Sequence, residues 1–204
     1  GAVRGLGLLK GILYSFVDNP GGTAGLIFKQ SAAGWVAVPL FFEISFDTGI
    51  AEISEGDTIT QLVSGATALV KRVVFETGTW AGGDAAGRLI ITTIVGTFDA
   101  TNYLQVAAAT KATSTSLATQ ITLLPGGRYE IIAHNFFASL DRKRLYGSDG
   151  VNRGFEFDGE TYVPINTNMV TDTPEYVYGH KKQLFFSFKG SSQNSGIGEP
   201  YQFT

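Results

Sequence analysis

Cysteine is absent from this chain of 204 residues. That excludes disulfides and thiolate chemistry and leaves the compartment open. Histidine is nearly absent too: His134 and His180 are the only two, and neither stands in His-x-x-x-His spacing. No metal site is therefore expected, and both rings are read as packed or surface side chains on strands. Charged residues make up only 16% of the chain, and the formal net charge is −3. There is no basic excess to neutralise phosphates, so nucleic acid is not an expected partner. The short basic groups Arg142-Lys143-Arg144 and Lys181-Lys182 are read as solvated loops at strand ends. No apolar run approaches the ~20 residues of a membrane-spanning helix. The opening Gly-Ala-Val-Arg-Gly-Leu-Gly-Leu-Leu-Lys has neither a signal-peptide pattern nor an initiator Met. The chain is expected to begin inside a longer reading frame or to be a processed product.

What is abundant points one way. Gly numbers 26 and Phe 15, with Tyr 8 and Trp 2. Bulky strand formers, many turn formers and weak helical periodicity predict an all-β protein. The segment from Leu145 to Ile165 is the clearest stretch. Gly154-Phe155-Glu156-Phe157 reads as a strand, Asp158-Gly159 as a two-residue type I′ turn, and 160–165 as the return strand. That register places Phe155 opposite Tyr162, with Val163 and Ile165 on the other face. Apolar residues on both faces predict a hairpin covered on both sides.

The same phrase occurs earlier. Leu13-Tyr14, Gly25-Leu26-Ile27-Phe28 and Trp35-Val36-Ala37-Val38 parallel Leu145-Tyr146, Gly154-Phe155-Glu156-Phe157 and Tyr162-Val163-Pro164-Ile165. A third copy begins at Gln183-Leu184-Phe185-Phe186 and is expected to break off near Tyr201-Gln202-Phe203-Thr204. Repeated aromatic hairpins of this size predict β-propeller-like blades. Between the copies, aromatics thin out and Thr, Ala and Gly rise. Short strand cores such as Ala68-Leu69-Val70, Leu89-Ile90-Ile91 and Leu104-Gln105-Val106 predict a small antiparallel barrel or sandwich. Residues 107–112 could be helical by propensity but are read as strand and loop. The expected fold is all-β: partial propeller-like antiparallel blades with an inserted small β-barrel or β-sandwich domain. The expected division is a blade at 1–46, the inserted domain at 47–126, and a complete second and incomplete third blade at 127–204. Phe42, Ile44 and Phe46 alternate with Glu43 and Ser45 and close the first blade in this reading.

Several phrases resemble structural proteins of tailed bacteriophages. They are Gly56-Asp57-Thr58-Ile59-Thr60, Ser64-Gly65-Ala66-Thr67-Ala68, residues 78–87 and Gly96-Thr97-Phe98. Arg153-Gly154-Phe155-Glu156-Phe157-Asp158-Gly159, His180-Lys181-Lys182-Gln183-Leu184-Phe185 and residues 195–201 resemble the propeller-like region of phage tail and head-to-tail proteins. The resemblance covers nearly the whole chain. It implies a virion structural protein of the tail, nozzle or neck, located in the virion, with other tail or neck proteins as partners and a homo-oligomeric ring as its assembly.

Nothing in the sequence marks an enzyme. Asp149-Gly150 and Asp158-Gly159 suit turns. Asp149, Asn152 and Glu156 do not follow a calcium-loop order. Asp141 and Glu160 complete the acidic residues of the second blade and, with the rest, form no motif. Ser195 lacks a nucleophile-elbow context, and Gly5-Leu6-Gly7 lacks the flanking strand and helix of a dinucleotide site. No catalytic, cofactor-binding or metal-binding residue is assigned. Residues 190–198 read as a flexible loop between blades. The alternative function is a host-glycan-binding or glycan-cleaving tail protein. It would gather Trp35, Trp80 and Tyr201 at one cleft beside two carboxylates. Finally, two blades and part of a third cannot close a propeller, so an uncovered apolar face is expected, with the missing blades supplied by the same polypeptide or a neighbour.

Overall fold

The computed structural model describes residues 1–136 and 142–203. The protein is all-β, and its strand pairings are antiparallel. The chain divides into two compact units, residues 1–40 with 122–204, and residues 41–121.

Sheet one is a four-stranded meander of β1 (Val3–Leu9), β2 (Ile12–Asp18), β3 (Gly25–Ser31) and β4 (Gly34–Val38). Lys10 and Gly11 join β1 to β2 with φ of 50° and 79°. Two positive φ values make a type I′ turn, whose twist matches that of the strands it joins. The Asp18 carboxylate ties the sheet's end together. It accepts from Arg4 Nε at 2.8 Å and from the Gly126 amide at 3.1 Å. The hydrogen bond from Arg4 holds the Asp18 carboxyl below the usual carboxylate range.

The second unit carries β5 (Phe42–Gly49), β6 (Thr58–Gln61), β7 (Thr67–Thr77), β8 (Ala85–Val95), β9 (Tyr103–Val106), β10 (Ala109–Ser114) and β11 (Thr119–Gln120). They pair in the order β10-β9-β6-β7-β8-β5-β11, and β10 also pairs with β5. The pairing therefore runs in a circuit of six strands. Ile44, Phe46, Ile59, Val70, Leu89, Ile91 and Leu104 form its core. Ala107 and Ala108, at φ 49° and 65°, make the two-residue turn between β9 and β10. The alanine-rich segment is thus turn and strand, because the ladder pairing of Val106 with Ala109 outweighs a weak helix propensity.

Phe41 to Phe46 does not close the first blade. Phe42–Phe46 pairs with residues 87–91 of β8, and Ile44 and Phe46 are buried in that core. At the other end the boundary also moves earlier. The Leu123 carbonyl accepts from the Gly25 amide at 2.7 Å, which attaches residues 122–126 to sheet one.

Sheet two contains β12 (Glu130–His134), β13 (Arg144–Ser148), β14 (Phe155–Phe157) and β15 (Tyr162–Pro164). Its last hairpin differs from the expected one. Phe157, not Phe155, pairs with Tyr162, and four residues form the loop. Asp158 is not at positive φ; its carboxylate instead accepts from the Glu160 and Thr161 amides at 2.8 and 2.7 Å. This side-chain turn competes with the tight one. Phe155 and Tyr162 become diagonal neighbours whose rings still stack at 4.9 Å. Both faces of the hairpin are buried, as expected.

Sheet three contains β16 (Tyr176–His180), β17 (Gln183–Ser187), β18 (Ser192–Gly196) and β19 (Glu199–Phe203). The third repeat is therefore a complete four-stranded sheet rather than a broken one. Residues 192–196, read as loop, are its third strand, and the closing Tyr201-Gln202-Phe203 pairs with it. Their polar side chains hid a strand that is held by backbone pairing with β17.

The two places where the chain leaves and re-enters the three-sheet unit are close together. Val38 pairs with Ile27, and Leu123 bonds to Gly25, both on β3. Replacing residues 41–121 by a short Gly-Ser linker should leave the three sheets folded, since closure cost rises only with the logarithm of loop length. Hydrogen exchange reads this out. Retained protection at Phe155 and Tyr162 is the expected result, and its complete loss would show that the unit depends on the excised residues.

Candidate interaction faces

Within the three-sheet unit, β12 lies beside β1 and β16 lies beside β12. Sheet one meets sheet two through aromatic rings. Phe16 stacks on Tyr129 at 4.5 Å and lies 5.4 Å from Phe155, and Tyr14 meets Phe157 edge-on at 5.0 Å. Gly7 lets Leu145 approach; a Cβ there would fall 2.7 Å from Leu145 Cδ1. Sheet two meets sheet three in the same manner. Gly154 gives room to the Phe186 ring, and Gly179 to Ile132 and His134.

Alternation fixes which residues face which neighbour. The second strand of each sheet carries the repeated pair Leu13-Tyr14, Leu145-Tyr146 or Leu184-Phe185. In sheet two, Leu145 points back to sheet one while Tyr146 points forward to sheet three. In sheet one, Tyr14 points forward, so Leu13 points backward, away from the two other sheets described in this unit. In sheet three, Leu184 is buried against sheet two, so Phe185 points forward into the open.

The backward face of sheet one is apolar and uncovered. Leu6, Leu8 and Trp35 are 56%, 64% and 52% exposed. They share that face with Leu13, Val17, Leu26 and Phe28 through the registers Leu6↔Ser15, Leu8↔Leu13, Ser15↔Phe28 and Val17↔Leu26. A shallow hollow of about 400 Å³ lies on it, lined by Val3, Leu6, Val17, Phe28 and Trp35 among others. Apolar patches of this kind occur where proteins meet other proteins, membranes or ligands. The forward face of sheet three presents Tyr176, Tyr178 and His180 beside Phe185. Comparison of the chain with family models, with curated proteins and with solved structures finds no match.

The acidic residues singled out in the sequence serve the fold where they are described. Glu156 is buried on the forward face of sheet two. It accepts from Arg144 Nη1 at 2.7 Å and from Tyr146 Oη at 2.8 Å. Burial, with the adjacent Glu156 carboxylate, pushes the Tyr146 phenol far up, so it stays a donor. Arg144 is a correction to the sequence reading: it is a buried strand residue rather than part of a solvated basic loop. Asp149 accepts from the Val151 and Asn152 amides, capping its turn. Glu160 is exposed, and Asp141 lies outside the described residues. Ser195 is buried, accepting from the Leu184 amide and donating to the Gly196 carbonyl. His134 packs against Phe136, and burial lowers its pKa. His180 is exposed beside Tyr178. Among the described residues no cluster of His, Asp and Glu suits a metal ion.

Two of the three aromatics that a glycan cleft would need belong to the three-sheet unit, and they are not gathered there. Trp35 is exposed on sheet one and Tyr201 is buried in sheet three. Trp80 belongs to the second unit, where it stacks on Phe46 at 5.5 Å. The two interaction faces themselves were only half visible in the sequence. Leu6, Leu8 and Trp35 were readable as strand residues, but their exposure depends on which sheets stand next to sheet one.

Proposed function

We propose that this chain is a structural subunit of a tailed-phage virion, placed in the tail or neck, that works by binding neighbouring subunits. The observation that carries the architectural part is the uncovered apolar face of sheet one. A sheet face bearing Leu6, Leu8, Phe28 and Trp35 gains by burial at about 25 cal/mol per Å² of apolar surface. The phage setting is supported by the resemblance of residues 56–60, 78–87, 153–159 and 195–201 to phrases of phage tail and head-to-tail proteins. In this reading the three meanders are propeller blades, and the six-strand circuit is a small β-barrel inserted after the first blade. Partners are other tail or neck proteins and further copies arranged in a ring. The role needs no cofactor and no chemical step. The inward bonding of Glu156 and Asp149 and the separation of exposed Trp35 from buried Tyr201 favour it over a glycan-directed role.

Mass spectrometry and image reconstruction of purified particles test the proposal. The expected result is this chain in the particle at a fixed, symmetric copy number, with its density at the tail or neck. Its recovery only from the cell fraction, with none in purified particles, would overturn it.

A further inference from the structure

The two open faces of the three-sheet unit are the two halves of an interface that the unit already makes twice. In the interface between sheets one and two, forward-pointing Tyr14 meets backward-pointing Phe157. The repeat places Phe185 of sheet three where Tyr14 stands, in the Leu-aromatic pair of the second strand. The strand registers place Phe28 of sheet one, opposite Ser15, where Phe155 stands opposite Gly147, and Gln30 where Phe157 stands. Leu13, Phe28 and Trp35 thus stand where Leu145, Phe155 and Tyr162 stand. Those three are buried, at 1%, 1% and 2% exposure, while Trp35 remains 52% exposed. Sheet one's open face thus has the composition of a face that packs against a preceding sheet. Sheet three's open face has the position of one that packs against a following sheet.

From this we infer that two copies of the chain associate head to tail, sheet three of each docking on sheet one of the other, into a closed ring of six four-stranded sheets. The inference rests on the proposed assembly role and specifies its contact. Both halves of the contact are on one chain, so no second protein is required. Two such contacts related by a twofold axis leave neither apolar face open, whereas one alone would propagate into a filament. Six sheets lie within the range of about four to eight blades over which propellers close. At the centre Phe185 of one copy faces Gln30, beside Phe28, of the other, with Tyr176 and Tyr178 beside Leu6 and Leu8. Apart from His180, the named contact residues are uncharged, so burying them leaves little charge to desolvate.

The absence of cysteine makes the test clean. Light scattering during size exclusion of the unaltered 204-residue chain should give twice its 21.8 kDa mass at micromolar concentration. Leu8→Glu and Trp35→Glu, each on the open face, should give the single mass with unchanged far-ultraviolet circular dichroism. Single-cysteine variants Gln30→Cys and Phe185→Cys are then mixed and oxidised. Disulfide-linked dimer should form in the mixture at least tenfold faster than with either variant alone, since the contact joins unlike positions. A monomer for the unaltered chain overturns the inference, and so does an open series of ever larger oligomers. Linking of like variants as fast as unlike ones overturns the head-to-tail arrangement. None of these results bears on whether the chain is found in virions, which particle composition decides separately.

Discussion

Glu156→Ala should destabilise the three-sheet unit by about 3–5 kcal/mol, the cost of leaving a buried charge without its counter-ion. Arg144 has a side chain only 10% exposed, and Glu156 is fully buried. Removing the carboxylate takes a charged acceptor from the buried Arg144 guanidinium and the acceptor from the Tyr146 hydroxyl. Glu156→Gln should also be costly, because a neutral amide can still receive the hydroxyl but cannot balance the charge. The double variant Arg144→Met with Glu156→Leu should recover most of the loss. A buried pair is often no better than well-packed apolar residues of similar volume. Urea titration separates these cases: the midpoint should fall for Glu156→Ala at nearly constant slope and return for the double variant. A single Glu156→Ala change costing less than about 1 kcal/mol would show that Arg144 finds water there, contrary to its burial.

Phe16→Ala should cost about 3–5 kcal/mol, the range for deleting a fully buried aromatic side chain. Phe16 is 0% exposed and is the ring at which Tyr129, Phe155 and Phe157 converge. Its loss opens a cavity between sheets one and two that stiff strands cannot collapse, so the cavity adds to the lost transfer energy. Phe16→Leu, which leaves a smaller void, should cost clearly less. Hydrogen exchange should locate the effect. Amides of β2 and β14 should lose protection, while Leu89, Ile90 and Ile91 in the seven-stranded sheet keep theirs. Equal loss of protection in both places would mean that the two units unfold as one.

The strand class was legible because alternation and turn residues act locally. Lys10-Gly11 forms its tight turn as glycine chemistry predicts, and the Leu-aromatic repeat marks the second strand of all three small sheets. A completed third sheet was not legible. Residues 192–196 are Ser-Gln-Asn-Ser-Gly, and nothing in those side chains favours a strand. They pair because β17 and β19 flank them, and a middle strand can be carried by backbone hydrogen bonds alone. The β14–β15 turn shows the reverse. Asp158-Gly159 is the strongest tight-turn phrase in the chain, yet the Asp158 carboxylate captures two amides and opens the loop to four residues.

Taken by itself, the sequence determined the all-β class, the places of most strands, two copies of an aromatic meander with the start of a third, and a compositional break in the middle. These follow from local preference, which each residue carries wherever it stands. Tertiary structure decided the rest. Phe42–Phe46 joins the second unit because β8, more than forty residues on, offers the partner that buries Ile44 and Phe46. Arg144 is buried because Glu156 meets it across the ladder between β13 and β14. Trp35 is exposed, and its counterpart Tyr162 is buried, because sheet one covers the face that carries Tyr162, while neither other sheet described in this unit covers the face that carries Trp35. Burial belongs to the neighbours a face acquires, and two copies of one phrase differ whenever their neighbours differ.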